Sequence, residues 1–299
     1  MKTAPVLLFT FKKTIPLKRT IEALKENFLA HESELFVYSD GPANDSDVAK
    51  VKEVRTILNK INGFKKVTLN YSEKNKGLAT SVIEGVSQML STYESIIVLE
   101  DDLITSPNFL HYMNSGLHTY RNDKRMHSIS GYTVPIRIPS DYRYDNYFTR
   151  RASSWGWATW RDRWDVVDWQ VSDYDAFAYD FLARRKFNRM GSDLSGMLAK
   201  QMNGTISSWA IRWCYHQFRN NLYTAYPTVS KISNIGFTEQ ATHTKGSDNR
   251  FATPLDKSLK KKFNFNTEPE IDLRFLKQFT AKYSLQTRAH YKIKNFLGI

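Results

Sequence analysis

Three consecutive carboxylates, Glu100, Asp101 and Asp102, directly follow the apolar run 96–99. Adjacent carboxylates at the end of a buried strand repel one another, so they need a cation or a hydrogen-bond network to stabilise them. Mg²⁺ and Mn²⁺ suit such a place, because one or two carboxylates together with substrate phosphates hold these ions. The triplet therefore predicts a divalent-metal site. The alternative is the acidic N-terminus of a helix that begins near the Ser-Pro pair 106–107.

Two further polar segments follow strand-like runs. Asp40 begins an Asp-Gly-Pro turn, and Asn75, Lys76 and Gly77 precede a helical pattern. From local sequence alone, the first segment is a turn and the second is the entry to a helix. Ligands of α/β sheets lie at the carboxyl ends of the strands, so we expect Asp40 and the acidic triplet on the same rim of the sheet.

Three tryptophans stand close together at Trp155, Trp157 and Trp160. Sugar rings present apolar C–H faces to aromatic rings, and the indole N–H donates to hydroxyl groups. The alternative is a well-packed hydrophobic connection under the sheet. We expect Trp155 to contact a ligand, and Trp157 and Trp160 to pack in the core.

The elements that must position these groups alternate between strand and helix over the first hundred residues. This βαβαβαβ pattern predicts an α/β fold with a mostly parallel sheet and helices on both faces. We expect loops and short strands in the aromatic stretch 127–175, and helices at 194–202 and 209–220. The predicted strands cover 5–11, 35–38, 67–71 and 95–99, and the helices between them carry Ile21, Leu24 and Phe28, then Val51, Val54, Leu58 and Ile61, then 78–90.

The composition is that of a globular protein, with 41% hydrophobic and 24% charged residues among 299. One elaborated α/β domain with a C-terminal extension accounts for this length. The single cysteine, Cys214, cannot form an internal disulfide, which favours a reducing compartment. The apolar run 4–11 is too short to cross a bilayer and is interpreted as a buried strand. These features predict a cytoplasmic protein, either soluble or peripheral on the inner face of the cell membrane.

The net charge of +13 suits nucleic acid, anionic lipid or phosphate-bearing substrates. A basic nucleic-acid-binding protein would explain the charge and the aromatic content, but not three carboxylates at a strand end. No nucleic-acid motif is recognised, and we expect no nucleic-acid partner. A metal-dependent nucleotidyltransferase also needs carboxylates and Mg²⁺. No glycine-rich phosphate loop follows the first strand, which argues against that enzyme class.

Much of the positive charge lies in the tail 257–299, where it alternates with aromatic residues. This mixture suits a surface that meets anionic head groups, at about 1 kcal/mol per basic residue. The alternative is that Ile271, Phe275 and Phe279 pack onto the catalytic domain while the lysines face water. The basic residues of the tail are Lys257, Lys260, Lys261, Lys262, Lys277, Lys282, Arg288, Lys292 and Lys294.

The order and spacing of the segments over 4–132 resemble the GT-A glycosyltransferases, and most of all bacterial family-2-like enzymes related to N-acetylglucosaminyltransferase I. Later segments extend the resemblance to residue 245. It implies a GT-A catalytic domain over 1–250, with a nucleotide-sugar half at 1–132 and an acceptor half at 133–250, and a basic, aromatic extension over 251–299. The segments are PVLLFTFKKTIPLKRTIEAL, VYSDGP, EKNKGLATSVIEGV and IIVLEDDLITSPNFLHYMN, then SSWGWATWRDRWD, GTISSWAIRW and SNIGFTEQATHT.

The resemblance also implies a reaction. A hexosyl or N-acetylhexosaminyl group would move from a nucleotide-diphosphate sugar, a UDP-sugar by this likeness, to a hydroxyl of a glycan or lipid-linked glycan. The transfer would use Mn²⁺ or Mg²⁺, invert the anomeric centre, and belong to bacterial surface polysaccharide synthesis.

Individual residues receive roles from the same resemblance. Asp40 would meet the uracil or the ribose, and Asp101 would lie near the ribose. Asp102 would ligate the metal, and His243 would complete the metal site. The alternative for His243 is a solvated residue of a polar loop. The residues assigned to nucleotide-sugar binding are Asp40, Asn75, Lys76, Gly77, Glu100, Asp101 and Trp155.

Inverting transfer needs a general base, usually Asp or Glu. The eukaryotic relative carries this base in a Trp-Asp-Asp-Trp-like segment, but the corresponding stretch 208–213 reads Ser-Trp-Ala-Ile-Arg-Trp and has no carboxylate. Asp193 is the nearest acidic candidate, followed by Asp162 and Asp165. For each of the three, the alternative is a helix cap or an ion pair with arginine.

Overall fold

The computed structural model describes residues 3–236 and 250–297, with side chains described up to residue 294. Within these ranges, eight strands form one sheet in the order β3-β2-β1-β4-β8-β6-β9-β7, and β10 pairs with β5. The strands are β1 (Val6–Thr10), β2 (Glu34–Ser39), β3 (Lys66–Tyr71), β4 (Ser95–Glu100), β5 (Leu103–Thr105), β6 (Met126–Ser130), β7 (Asn146–Thr149), β8 (Trp157–Trp160), β9 (Tyr223–Pro227) and β10 (Ile232–Asn234).

The sheet is mostly parallel, as the alternating pattern predicted. Strands β3, β2, β1 and β4 are parallel neighbours, whereas β8 runs antiparallel to both β4 and β6. Because β9 is parallel to β6 and β7 is antiparallel to β9, the strands β1, β2, β3, β4, β6 and β9 point one way, and β7 and β8 point the other. The carboxyl ends of the first group define one rim of the sheet.

Helices cover both faces, since alternate side chains of the strands enter two separate cores. Leu8 of β1 packs in a core with α1, α2, α4 and α10, and Leu7 packs in the opposite core with α3, α8 and α9. The α/β fold class is confirmed. The helices are α1 (Thr14–Lys25), α2 (Asp45–Leu58), α3 (Leu78–Thr92), α4 (Phe109–Thr119), α5 (Arg161–Trp164), α6 (Tyr174–Tyr179), α7 (Phe181–Phe187), α8 (Leu194–Met202), α9 (Trp209–Arg219), α10 (Leu273–Ala281) and α11 (Leu285–Leu297).

Aromatic residues of the tail pack inward. Phe275 stacks on Tyr147 with ring centroids 4.7 Å apart, and Phe279 meets the edge of Tyr226 at 5.1 Å. Both phenylalanines are fully buried, whereas Lys261 and its neighbouring lysines are exposed. These contacts match the alternative in which the tail packs onto the rest of the chain. The division of the chain at residue 250 stays a prediction.

Among the described helices, none combines the length and the hydrophobicity that a membrane span requires.

Candidate functional site

A cavity of about 540 Å³ opens at the carboxyl ends of β1, β2 and β4, and we call it the strand-end pocket. The strand register explains the position of this pocket, because Phe9 lies beside Glu100 and Thr10 lies beside Ser39, so the three strands end together. The residues that follow these strands therefore converge on one rim, as the sheet rule predicted. Its polar lining includes Lys12, Lys13, Asp40, Asn75, Lys76, Gly77, Glu84, Gln88, Glu100, Asp101 and Asp102.

Within the acidic triplet, the Asp101 carboxylate accepts hydrogen bonds from other groups of the protein. Its Oδ2 accepts hydrogen bonds from Thr10 Oγ1 at 2.9 Å and from the Phe11 backbone N–H at 3.2 Å. Its carbonyl oxygen accepts from Thr20 Oγ1 at 3.0 Å. Burial and the neighbouring charge of Asp102 nevertheless raise the pKa of Asp101 to about 6. Asp101 thus ties the end of β4 to the end of β1 and to α1.

Glu100 lies one residue earlier, on the face of the sheet that packs against α3. Burial, followed by the charges of Asp102 and Asp101, raises its pKa to about 8. This shift favours the protonated, neutral form of the Glu100 carboxyl near neutral pH. The sequence alone did not indicate this neutral state.

Asp102 pairs with a cation that the protein provides. Its Oδ2 lies 3.1 Å from Lys13 Nζ, and its backbone carbonyl accepts from the Ile235 N–H at 2.9 Å. Burial alone would lower the pKa of Lys13, but the charges of Asp102 and Asp101 outweigh burial and raise it. The sequence analysis missed Lys13, although its place directly after the first strand put it on the same rim.

Gly236 passes directly over the Asp102 carboxylate. A Cβ at this position would lie 2.2 Å from Asp102 Oδ2 and 2.9 Å from Asp102 Cγ. The pairing of β10 with β5 brings Gly236 here, since Asn234 lies beside Leu103. A side chain at position 236 would therefore force the Asp102 carboxylate to shift.

The three carboxylates of the triplet all line the strand-end pocket. Among the described residues, no group of three or more His, Cys, Asp or Glu side chains is arranged to hold a metal. Asp101 Oδ2 is occupied by Thr10 and Phe11, and the assignment of Asp102 as the metal ligand stays a prediction. One carboxylate together with diphosphate oxygens is a usual way of holding Mg²⁺ or Mn²⁺, so the donor set fits an ion that binds with a phosphate ligand. His243 lies outside the described residues.

Asp40 holds the opposite wall of the strand-end pocket. Its Oδ1 accepts from the Lys76 N–H at 2.9 Å, and its Oδ2 accepts from the Gly77 N–H at 3.0 Å. Asn75 Nδ2 adds a bond of 2.9 Å to the Gly41 carbonyl. Gly77 has φ +75°, a conformation that favours glycine. The expected cluster of Asp40 with 75–77 is thus present, and its polar groups bond mainly to one another.

Trp155 lies by a second cavity of about 200 Å³, which we call the second pocket. Strand β8 runs antiparallel to β4 and pairs Trp157 with Val98, so Trp155 precedes β8 at the same rim that ends β4. Its ring meets the ring of Tyr132 edge-on, with centroids 4.6 Å apart. Trp155 does not line the strand-end pocket. Trp157 and Trp160 are buried, as predicted.

Asp193 forms a bidentate ion pair beside the second pocket. Its two oxygens each lie 2.9 Å from a terminal nitrogen of Arg151, and both side chains are nearly buried. The Arg151 guanidinium also lies 3.8 Å from the ring centre of Tyr283. Burial alone would raise the pKa of Asp193, but the hydrogen bonds and charge of Arg151 outweigh burial and lower it. Such a carboxylate is a weak base.

The other two acidic candidates lie away from the rim. Trp160 pairs with Ser95 at the start of β4, so Asp162 and Asp165 follow at the opposite end of the sheet. Asp162 also pairs with Arg163 at 2.5 Å, in agreement with the ion-pair alternative. Neither residue is placed to accept a proton near Asp102.

Comparison with solved structures finds neighbours of low sequence identity. One neighbour is the mannosyltransferase PcManGT from Pyrobaculum calidifontis, which was solved in complex with GDP-Man and Mn²⁺. The two chains align with a TM-score of 0.36 at 12% identity, over 54% of this chain and 46% of PcManGT. TarS from S. aureus has a TM-score of 0.41 at 10% identity, with 77% of this chain and 36% of that chain covered. The chain thus spans less than half the length of either neighbour. No curated protein sequence matches it significantly.

The family of the chain follows from its first half, which contains β1 to β8 and the strand-end pocket. The predicted membership of a glycosyltransferase family is confirmed, whereas the relation to N-acetylglucosaminyltransferase I stays a prediction. The family model described as Glycosyl transferase family 2 matches residues 6–160, which are 155 of the 299 residues, and the chain belongs to this family.

Proposed function

We propose that this family 2 glycosyltransferase moves a hexosyl or N-acetylhexosaminyl group from a UDP-sugar to a hydroxyl of a glycan or lipid-linked glycan. The transfer depends on Mn²⁺ or Mg²⁺, inverts the anomeric centre and serves bacterial surface polysaccharide synthesis in the cytoplasm. The observation that carries the proposal is the position of Asp102, at the end of β4 in the strand-end pocket and beside Lys13.

The donor diphosphate lies at the Asp102 side of the strand-end pocket. Asp102 would hold the metal, which would offset the charge that develops on the departing diphosphate. Lys13 adds a fixed positive charge beside the same carboxylate. Asp101 keeps β1 and β4 in register at this point through its bonds to Thr10 and Phe11.

The nucleoside lies along the wall that Asp40 builds. Asp40 holds the backbone of Lys76 and Gly77, so it supports nucleoside binding by fixing this wall. The open space above Gly77 admits a ligand, because a Cβ there would meet no atom within 4 Å. The Glu100 side chain lies in the lining of the same pocket.

The acceptor binds in the second pocket, where Trp155 provides an aromatic face for a sugar ring. The described lining of this pocket includes no carboxylate, and Asp193 lies behind Arg151. The assignment of Asp193 as the general base stays a prediction. Its ion pair supports a different role, in which Asp193 positions Arg151 in the pocket wall.

A panel of sugar nucleotides, with and without Mn²⁺, tests the proposal. We expect one donor to be hydrolysed only with metal, and we expect Asp102→Ala to abolish turnover and the Mn²⁺-dependent thermal stabilisation by UDP. Asp165→Ala is the matched control, because Asp165 is an exposed aspartate at the far end of the sheet. His243→Ala should raise the Mn²⁺ requirement while activity survives at high metal. Wild-type turnover by Asp102→Ala would refute the metal assignment, and equal hydrolysis without metal would refute metal dependence.

A further inference from the structure

Two short helices, α6 and α7, carry an exposed apolar surface at their junction. Tyr179 is 92% exposed, Phe181 is 70% exposed and Leu182 is 65% exposed. Three large apolar side chains within four residues are thus exposed together, and an exposed apolar cluster marks an interaction site. Single exposed apolar residues are common on protein surfaces, whereas a cluster of this kind indicates a partner.

The exposure of this patch is imposed by the fold. Phe177 and Phe187, on either side of the junction, are buried. The ring of Phe177 meets Tyr215 with centroids 4.9 Å apart, and the ring of Phe187 meets Phe218 at 5.0 Å. Both helices are therefore anchored to α9, which leaves the residues between the anchors facing solvent.

Four cations continue the patch along α7 and just beyond it. Arg184, Arg185, Lys186 and Arg189 are all exposed, and none of them forms an ion pair within the described part of the chain. The sequence 179–189 contains these four cations and one acid, so its net charge is +3. Asp180 is the acid, and it accepts a hydrogen bond of 2.9 Å from the Ala183 N–H at the start of α7. The positive charge of this segment is thus largely uncompensated.

We propose that residues 179–189, the α6–α7 surface, dock the protein onto an anionic lipid membrane. Aromatic and aliphatic side chains enter the boundary between head groups and acyl chains, while neighbouring lysines and arginines meet lipid phosphates. A second copy of the chain suits this surface poorly, because a two-fold contact would place four cations against four cations. The exposed apolar residues of the tail, Leu259, Leu273, Leu285 and Ile293, lie apart from one another in the sequence, whereas those of the α6–α7 surface lie within four residues.

The α6–α7 surface leads directly to the second pocket. Arg189 is followed by Met190, whose carbonyl accepts a hydrogen bond of 3.4 Å from Arg151 in the pocket wall. Docking through the α6–α7 surface would bring this pocket close to the plane of the membrane. The delivery of a lipid-linked acceptor to the pocket rests on the proposed function, whereas membrane docking itself does not.

Flotation with vesicles of phosphatidylcholine, with or without phosphatidylglycerol, tests the proposal. We expect the full chain to float with the anionic vesicles at low salt and to stay behind with the neutral ones. Phe181→Ser combined with Leu182→Ser should abolish flotation. Arg184→Gln, Arg185→Gln and Lys186→Gln together should lower the partition coefficient about a hundredfold. The folding of each variant is checked by its thermal unfolding temperature, which should stay at the wild-type value because the replaced side chains are exposed.

The tail offers a matched control. Leu259 is 71% exposed and stands near the exposed Lys261 and Lys262, so Leu259→Ser with Lys261→Gln and Lys262→Gln removes a similar surface elsewhere. This control should float like the wild type. Three results would each overturn the proposal. They are loss of flotation in the control alone, no flotation of the wild type, and concentration-dependent dimers that the Phe181→Ser change disrupts.

Sugar-nucleotide hydrolysis without vesicles is measured in parallel. It should be equal in all variants, and its absence would refute the proposed transferase while leaving the flotation result intact.

Discussion

The ion pair between Asp193 and Arg151 allows a base and a positioning residue to be distinguished by experiment. Breaking a buried ion pair by neutralising one partner costs about 3–5 kcal/mol. The two side chains are 11% and 12% exposed, so a value near the lower limit applies. About 3 kcal/mol, at roughly 2 °C per kcal/mol for a chain of this size, corresponds to a fall in Tm of about 6 °C.

We therefore expect Asp193→Asn to lower Tm by about 6 °C, while kcat at a temperature below the transition falls less than about tenfold. A general base behaves differently, because its removal costs about 10²- to 10⁴-fold in rate and leaves the packing intact. Differential scanning fluorimetry and initial rates of donor turnover with acceptor measure the two quantities on the same samples. An unchanged Tm with a kcat lowered a hundredfold would refute the positioning role and establish Asp193 as the base.

The double variant Arg151→Met with Asp193→Leu is the internal control. An apolar pair of similar volume replaces a buried ion pair at little cost or with a gain in stability. Its Tm should therefore return to the wild-type value or exceed it. If the double variant is as unstable as Asp193→Asn, the loss of Tm does not come from an unpaired buried charge. That result would contradict the role inferred from the two 2.9 Å contacts between Asp193 and Arg151.

Three further predictions concern other parts of the molecule. Gly236→Ala should remove the Mn²⁺-dependent thermal stabilisation by UDP, because its Cβ would lie 2.2 Å from Asp102 Oδ2. Gly196→Ala is the control, because its Cβ meets nothing within 4 Å, and it should bind UDP and Mn²⁺ as the wild type does. Asp40→Asn should weaken UDP binding about tenfold in calorimetry, which is about 1.4 kcal/mol, because the amide nitrogen cannot accept and at least one of the three backbone bonds from Gly41, Lys76 and Gly77 is lost. An unchanged Kd would contradict the role of the wall. His127 is buried, and neither of its ring nitrogens has a hydrogen-bond partner among the described residues. Burial lowers its pKa, so in acid the unfolded chain binds a proton there that the folded protein does not. Stability should then fall as pH drops below about 6.5, by up to about 1.4 kcal/mol per pH unit, and His127→Phe should reduce this slope in pH-dependent denaturant unfolding.

The rim of the sheet could be predicted from the sequence because it depends on local patterns. Apolar runs of strand length fix β1, β2 and β4, and parallel strands bring the residues after them to one edge, so Asp40 and Asp102 were expected on the same rim. The helices at 194–202 and 209–219 were also predicted nearly to the residue, because their apolar spacing is regular.

Contacts between distant segments could not be read in this way. Arg151 and Asp193 are 42 residues apart, and Lys13 and Asp102 are 89 residues apart, and no local pattern encodes either pair. Trp155 was expected at the nucleotide side, but β8 returns antiparallel beside β4 and puts this residue by the second pocket. The α6–α7 surface escaped notice as well, since its apolar residues look like core residues until the fold shows which of them are covered.

The wall that Asp40 supports has a consequence for the thermodynamics of recognition. The bonds from Lys76, Gly77 and Asn75 are internal to the protein, so they do not depend on a ligand. A loop that must be ordered on binding costs about 1–2 kcal/mol of conformational entropy per residue, and such costs are subtracted from affinity. With 75–77 already fixed, that entropy is lost during folding. Nucleotide association at this wall should therefore be fast and should proceed with little change in backbone order.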